Sequence, residues 1–401
     1  MFDRNFIVLE IANILAGPVT TMAFAELGAR VIKLENPHTR GDATRGWKLA
    51  GEADDSDISG YFSCANWGKE SLACDFTCAA GRDIAHALAA RADIVVVSFK
   101  PGDEARLGLD YATLSALNPR LIYGQISAYG GDDPRPGFDA ILQAEAGFTY
   151  LNGEPDGPPT KMPVALIDLL LAHQLKEGLL LALLKRERSG RGSLVTTSLI
   201  EAGVASLANQ ATNYLVGGVV PQRMGSEHPN IVPYGSILAC ADGREVVIAA
   251  ATERQYRELV CALGLPELAD DPAYATGQLR VRNRDRLLAR IRDQAATLAS
   301  ADLAARLIAA KVPFGFVNDM AAVFEQAGAR RLLLEAAQDG RPLRGVRTLA
   351  FGGDAVSTVT PTPPPHFDQH AETILGGLLG LDRDAIAARR AAGAFGPAPA
   401  R

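Results

Sequence analysis

The feature that most constrains this chain is the regular alternation of short apolar runs with helical segments in its first half. Phe6–Glu10 predicts a strand, Gly17-Pro18 a turn, and Thr20–Leu27 a helix closed by Gly28, which suits the left-handed position after a helix. Arg30–Leu34 predicts a second strand. The unit recurs where helix Ala79–Ala90 precedes a β-branched strand at Asp93–Ser98. Asn118–Tyr123 then runs on into Gln125–Ser127 as another strand. Strands separated by helices at this spacing predict a parallel sheet and the α/β class.

Pro163 to about Arg188 predicts one long helix, stopped by Ser189-Gly190-Arg191-Gly192. Ser193–Ser198 reads as a strand and Glu201–Leu215 as a helix. Between Gly217 and Tyr234 the composition shifts to Gly, Pro and polar residues, which suits a passage into another domain. There Gly243–Ala250 predicts a strand, and Glu253–Leu263, Arg284–Ala299 and Ala301–Ala310 predict helices. Pro361–Pro365 predicts coil, Gln369–Leu379 a last helix, and the Ala-Pro end a frayed tail. The expected division is a large domain over 1–220, a small one over 221–330, and a return to the large domain over 331–401.

A length of 401 residues accommodates two or three domains. With 48% hydrophobic and 21% charged residues the balance is that of a soluble globular protein. The net charge of −6 offers no attractive field to nucleic acid or an anionic membrane, so an anionic ligand needs a local Lys/Arg cluster. Arg4 and Glu10 interrupt the apolar start and argue against a signal peptide. No run approaches the roughly 20 apolar residues of a membrane span. The five cysteines, Cys64, Cys74, Cys78, Cys240 and Cys261, fit no zinc spacing and read as reduced thiols. A cytoplasmic location is the expectation, with no nucleic-acid or membrane partner.

Asp168 stands out within Val164-Ala165-Leu166-Ile167-Asp168-Leu169-Leu170-Leu171. A carboxylate in such a run costs several kcal/mol to bury unless it is paired. It reads either as a first-turn acid stabilised by the helix dipole or as a nucleophile, and the two are compatible. Asp139, in Pro136-Gly137-Phe138-Asp139, reads as an N-cap for the helix that follows. Lys100, after the strand Asp93–Ser98, and Arg106 read as solvated cations or, at the carboxyl end of a strand, as phosphate contacts. No GxGxxG follows the first strand and no P-loop or Gly-x-Ser-x-Gly elbow occurs. His228 and His370 lack partners at metal spacing, so no metal site is expected.

Taken together, the motifs resemble the class III coenzyme A transferases, the family of formyl-CoA transferase and the carnitine CoA transferases. Leu15-Ala16-Gly17-Pro18 with Glu26-Leu27-Gly28-Ala29-Arg30-Val31-Ile32-Lys33-Leu34-Glu35 is similar to the family's opening. Gly41-Asp42, Thr44-Arg45, Phe99-Lys100-Pro101-Gly102, Arg106-Leu107-Gly108-Leu109-Asp110-Tyr111 and Asn118-Pro119-Arg120-Leu121 continue the match. Val312-Pro313-Phe314-Gly315 and Pro363-Pro364-Pro365 extend it almost to the end of the chain. Asp168 falls at the family's catalytic aspartate. The resemblance implies a large Rossmann-like parallel-sheet domain built from both chain ends, a smaller α+β domain, and an interlocked homodimer.

It also implies transfer of CoA between carboxylic acids through anhydride and aspartyl-CoA intermediates on Asp168. CoA is then substrate and product, with no tightly bound cofactor. Leu15, Ala16, Lys69, Ser98, Phe99, Lys100 and Arg106 fall on CoA-binding positions; Asp139, Phe138, Tyr129, Arg223 and His228 are acceptor-pocket candidates. Leu15 and Asn36 stand where formyl-CoA transferase has glutamine and arginine, and its glycine run is missing. Formate and oxalate are therefore set aside. The stretch Arg223 to Tyr234 resembles the succinate–hydroxymethylglutarate branch, so a dicarboxylate is expected, with Arg223 on its distal carboxylate. Two rivals remain: an α-methylacyl-CoA racemase, disfavoured because Phe138 stands where that chemistry uses histidine, and an inert CoA-binding protein.

Overall fold

The computed structural model describes residues 1–131, 133–354 and 356–396; the Ala-Pro end lies outside them. Contacts divide the chain into two units. The first comprises Met1–Ala146, Pro163–Ala208 and the chain from Arg331 onward. The second comprises Gly147–Met162 and Asn209–Arg330.

In the first unit six parallel strands form the sheet: β1 (Ile7–Ile11), β2 (Arg30–Glu35), β3 (Lys69–Ala73), β4 (Ile94–Val97), β5 (Ile122–Ser127) and β6 (Ser193–Ser198). Their spatial order is β3-β2-β1-β4-β5-β6. The chain thus steps outward from β1 to β3, returns to β4 beside β1, and steps outward the other way. Where the direction reverses, the loops after β1 and β4 diverge and leave a crevice at the carboxyl ends. Runs such as Ile94-Val95-Val96-Val97, buried throughout, belong to a strand covered on both faces.

Helix α1 (Ala16–Glu26) is buried along its whole length, as its apolar and small residues allow. It begins earlier than the sequence suggests: Gly17 and Pro18 lie in its first turn, not in a turn before it. A proline is tolerated there because the first-turn N–H groups have no helical acceptor. Gly17 permits the close approach of α1 to the end of β1, since a Cβ at this position would sit 2.4 Å from Ala12 Cβ.

Helix α2 (Ala79–Ala89) joins β3 to β4, α3 (Tyr111–Leu117) joins β4 to β5, and α4 (Asp139–Glu145) follows β5. The 24-residue α5 (Leu166–Ser189) ends at Gly190, in the left-handed conformation. Its inward face is a stripe at helical spacing: Ile167, Asp168, Leu171, Ala172, Leu175 and Leu179. The expected helix Glu201–Leu215 is instead two, α6 (Leu199–Ala205) and α7 (Asn209–Leu215), parted at Ala208, whose φ is 48°.

The second unit contains an antiparallel sheet, β7 (Tyr234–Ala239), β8 (Glu245–Ala249) and β9 (Phe314–Phe316), in that spatial order. Around it pack α8 (Glu253–Leu263), α9 (Arg284–Ala295) and α10 (Ser300–Ala309) over their own core of residues such as Leu259, Leu287, Ile291 and Leu303. The chain then returns to the first unit with a hairpin unseen in the sequence, β10 (Leu333–Gln338) and β11 (Arg341–Val346). The expected last helix is a π-helical turn at Thr373–Leu378, followed by α11 (Arg383–Ala391). Both chain ends build this unit: Gly68 N–H donates to Thr362 O at 2.8 Å and Asp75 N–H to Ala394 O at 2.8 Å.

Candidate active site

The crevice holds a cavity of about 280 Å³ lined by Asn13–Gly17 after β1, Ser98–Pro101 after β4, Ile126–Ala128 of β5 and its following loop, Arg135–Phe138, Leu199 and Asp168. It therefore gathers Leu15, Ala16, Ser98, Phe99, Lys100, Phe138 and Asp168 from four separate stretches of sequence. Three loops come from strand ends, and Asp168 arrives on the first turn of α5.

Asp168 is 9% exposed, and among the described residues no hydrogen-bond or ion-pair partner holds its carboxylate. Burial pushes its pKa up to about 7, and the nearby Asp139 carboxylate adds to the rise. The acid is thus poised between protonated and ionised forms near neutrality, at a helix start whose dipole favours negative charge.

Asp139 is not the cap of its own helix. Its Oδ1 accepts the Ile167 N–H at 2.8 Å and its Oδ2 accepts Gln143 Nε2 at 2.7 Å. Helix α5 has no capping side chain from its own N-cap residue Ala165, so Asp139 supplies the acceptor from α4. One residue thereby fixes the turn that carries Asp168 and places a like charge near it.

Lys69 faces away from solvent. Its fully buried ammonium donates to Glu10 Oε2 (2.6 Å), Pro18 O (3.0 Å) and Asn66 Oδ1 (2.9 Å), beneath the start of α1. Burial lowers its pKa to about 8 against the upward pull of Glu10. With three acceptors satisfied, this lysine supports the site from below. Arg106 is exposed, outside the cavity, and paired with Asp103 at 2.9 Å. Ser98 Oγ accepts the Asn13 N–H at 3.4 Å, tying the β1 and β4 loops together.

The sequence reading missed Arg135. It lines the cavity, lies over the Tyr129 ring at 3.8 Å and pairs with Asp133 at 2.8 Å. Its position just before Pro136-Gly137-Phe138-Asp139 was the available signal. Arg223 and His228 belong to the second unit. Arg223 donates to Tyr150 O at 3.2 Å, and His228 Nδ1 accepts the Asn230 N–H at 3.1 Å. Among the described residues, no cluster of three His, Cys, Asp or Glu side chains could hold a metal, and no helix is long and apolar enough to cross a membrane.

The fold and the site define an α/β protein with an isolated buried carboxylate at a switch-point crevice. The chain belongs to CoA-transferase family III, whose profile matches residues 4–371, and it is an enzyme of that class, a CoA-transferase. It is 36% identical to the succinate–glutarate CoA-transferase of Agrobacterium fabrum over 94% of this chain and 96% of that one. It is 35% identical to the succinyl-CoA:mesaconate CoA-transferase of Haloarcula hispanica, over 92% and 94%. The crystal structure of a CAIB/BAIF family protein from Brucella suis matches with a TM-score of 0.80 and 35% identity, over 94% and 98% of the two chains.

Proposed function

We propose that the protein moves CoA from succinyl-CoA to a dicarboxylic acid through covalent intermediates on Asp168. The observation that carries this reading is Asp168 itself: a buried carboxylate, partnerless among the described residues, opening into the crevice between β1 and β4. The relatives' succinate, glutarate and mesaconate activities support the substrate class.

The Asp168 carboxylate attacks the thioester carbonyl, the C–S bond breaks, and CoA thiolate leaves a mixed anhydride. The thiolate then attacks the aspartyl carbonyl, releasing succinate and leaving CoA in thioester linkage to Asp168. The acceptor carboxylate attacks that thioester and expels the thiolate, which attacks the acceptor's carbonyl and frees Asp168. Each step exchanges one carboxyl derivative for another, so no external energy source is needed. The start of α1 opens on the same cavity without a side-chain cap. Its first-turn N–H groups suit the oxyanions that form at each attack.

Lys100 suits a CoA phosphate. Arg135, the other cation of the described cavity wall, suits the distal carboxylate of the acceptor, the role expected of Arg223. Arg135→Met and Arg223→Met, each assayed with mono- and dicarboxylates and with oxalate as control, separate the two: the variant that loses preference for dicarboxylates identifies the cation. Assembly as an interlocked homodimer in the cytoplasm completes the reading. Leu181 (66% exposed) and Leu184 (61%) on α5 support a partner surface. Subunit exchange between tagged copies only after unfolding is the expected behaviour; exchange under native conditions contradicts interlocking.

The primary test is intact-protein mass spectrometry of wild type and Asp168→Ala after mixing with succinyl-CoA and hydroxylamine. A hydroxamate on wild-type Asp168, absent from the variant, is the expected result. CoA binding without label across a panel of acyl-CoAs would return the inert-binder reading.

A further inference from the structure

Asp42 is not part of the cavity wall, yet it controls a stretch of that wall through the backbone. Ile14 lines the cavity with a φ of 72°, in the left-handed region. For a β-branched residue this is a strained conformation. Both carboxylate oxygens of Asp42 accept the Ile14 N–H, at 3.2 and 3.0 Å. The carboxylate is itself immobilised. It is 2% exposed, receives Lys33 Nζ at 2.9 Å and the Thr44 N–H at 3.0 Å, and its own N–H donates to Glu35 at 2.9 Å. Lys33 is fully buried and bonded on its other side to Glu10 at 2.6 Å. The loop therefore conforms to the carboxylate, and Ile14 is the residue that leads into the uncapped first turn of α1.

We propose that Asp42 is a positioning residue for CoA transfer: by tethering Ile14 in its left-handed conformation it sets the start of α1 against the acyl group at Asp168. The proposal rests on the reading of Asp168 as nucleophile. Asp42 lies outside the described cavity lining, so it acts through Ile14. Strain at this point is retained because relaxing the loop would draw the first-turn N–H groups away from the developing oxyanion.

Asp42→Ala removes both oxygens that accept the Ile14 N–H, together with the charge that pairs with Lys33. In a crystal structure of this variant the Ile14 φ is expected to turn negative. With succinyl-CoA and glutarate, kcat falls by about tenfold or more while the KM for succinyl-CoA changes by less than about threefold. Adding Ile14→Gly, which adopts a positive φ freely, restores at least about threefold of the loss. An unchanged Ile14 backbone, or a loss carried wholly by KM, overturns the role of Asp42. If Asp42→Ala cannot be recovered folded, thermal melts of Ile14→Gly and Ile14→Ala decide: glycine melting higher supports the strain, and alanine melting equal or higher refutes it. Failure of hydroxylamine to trap an acyl group on wild-type Asp168 would instead remove the nucleophile reading, an outcome separate from the Ile14 geometry.

Discussion

At the scale of single residues, Asp168 carries a measurable conflict between stability and chemistry. Its pKa is about 7 in the folded chain, against an ordinary value of 3.8. The folded state therefore holds a proton that the unfolded state releases, so stability falls as pH rises from about 4 through 7. Removing the charge relieves this. Asp168→Asn is expected to melt above wild type at pH 8, by on the order of 4 kcal/mol at most, with the gap closing toward pH 5. Scanning fluorimetry at both pH values checks it, and a gap independent of pH contradicts it. The proposed role of Asp168 as nucleophile has the opposite requirement: kcat/KM for acyl-CoA should fall about tenfold per unit below pH 7, as its carboxylate protonates. Asp139→Asn keeps an acceptor for the Ile167 N–H but deletes the neighbouring charge. Its pH–rate midpoint should move down while staying above the usual carboxylate range, because burial, the larger cause, remains. A midpoint unmoved by the substitution would show that Asp139 acts through geometry alone.

At the scale of elements, the long helix α5 does two jobs. Its first turn presents Asp168, and its inward stripe packs against the sheet and α1. Its end depends on Gly190, with φ 70° and, among the described residues, no neighbour within 4 Å of the point where a methyl group would sit. Gly190→Ala thus tests backbone strain without a clash. It should destabilise the protein by about 1 kcal/mol in urea titration without altering the pH dependence of activity. A loss several times larger would point to packing that the open space around Gly190 does not contain. The helices legible in sequence were those with strong periodicity or caps, such as α8, whose Thr252–Gln255 capping box fixes its start. The break at Ala208 was not legible, because neither Ser206 nor Ala208 is a breaker by composition, yet Ala208 takes a left-handed φ of 48°.

At the scale of the whole chain, distant segments lock the first unit. His366 Nδ1 meets Asp57 Oδ1 at 2.5 Å, His366 Nε2 meets Asp339 at 3.1 Å, and the Phe367 N–H donates to Asp57 at 2.6 Å. Burial lowers the His366 pKa, but hydrogen bonding and charge from Asp57 and Asp339 outweigh it and raise it above 6.5. A raised histidine contributes stability that is fully present below the unfolded pKa and lost as pH rises through the folded one. The difference in melting temperature between wild type and His366→Gln should therefore be larger at pH 5.5 than at pH 8.5. Equal differences at both pH values would mean that His366 contributes packing only.

The sequence by itself determined the α/β class, because apolar periodicity and helix-stop glycines are local signals; the family came from the resemblance of its motifs, and Asp168 stood out as an isolated acid in an apolar run. The tertiary structure decided what surrounds that acid. Arg135, Asn13 and Ile14 reach the cavity only because the strand order reverses beside β1 and brings the loops after β1, β4 and β5 to one crevice. Lys69, a CoA-binding position by resemblance, is a buried support because β3 and α1 close over its ammonium and Glu10 neutralises it. Asp139 looked like the cap of its own helix and caps another, since the hydrogen bond it makes joins residues 28 positions apart. Local pattern fixes which residues form helices and strands; only the folded chain fixes which side chains share a dielectric environment, and that sharing sets their charge and chemistry.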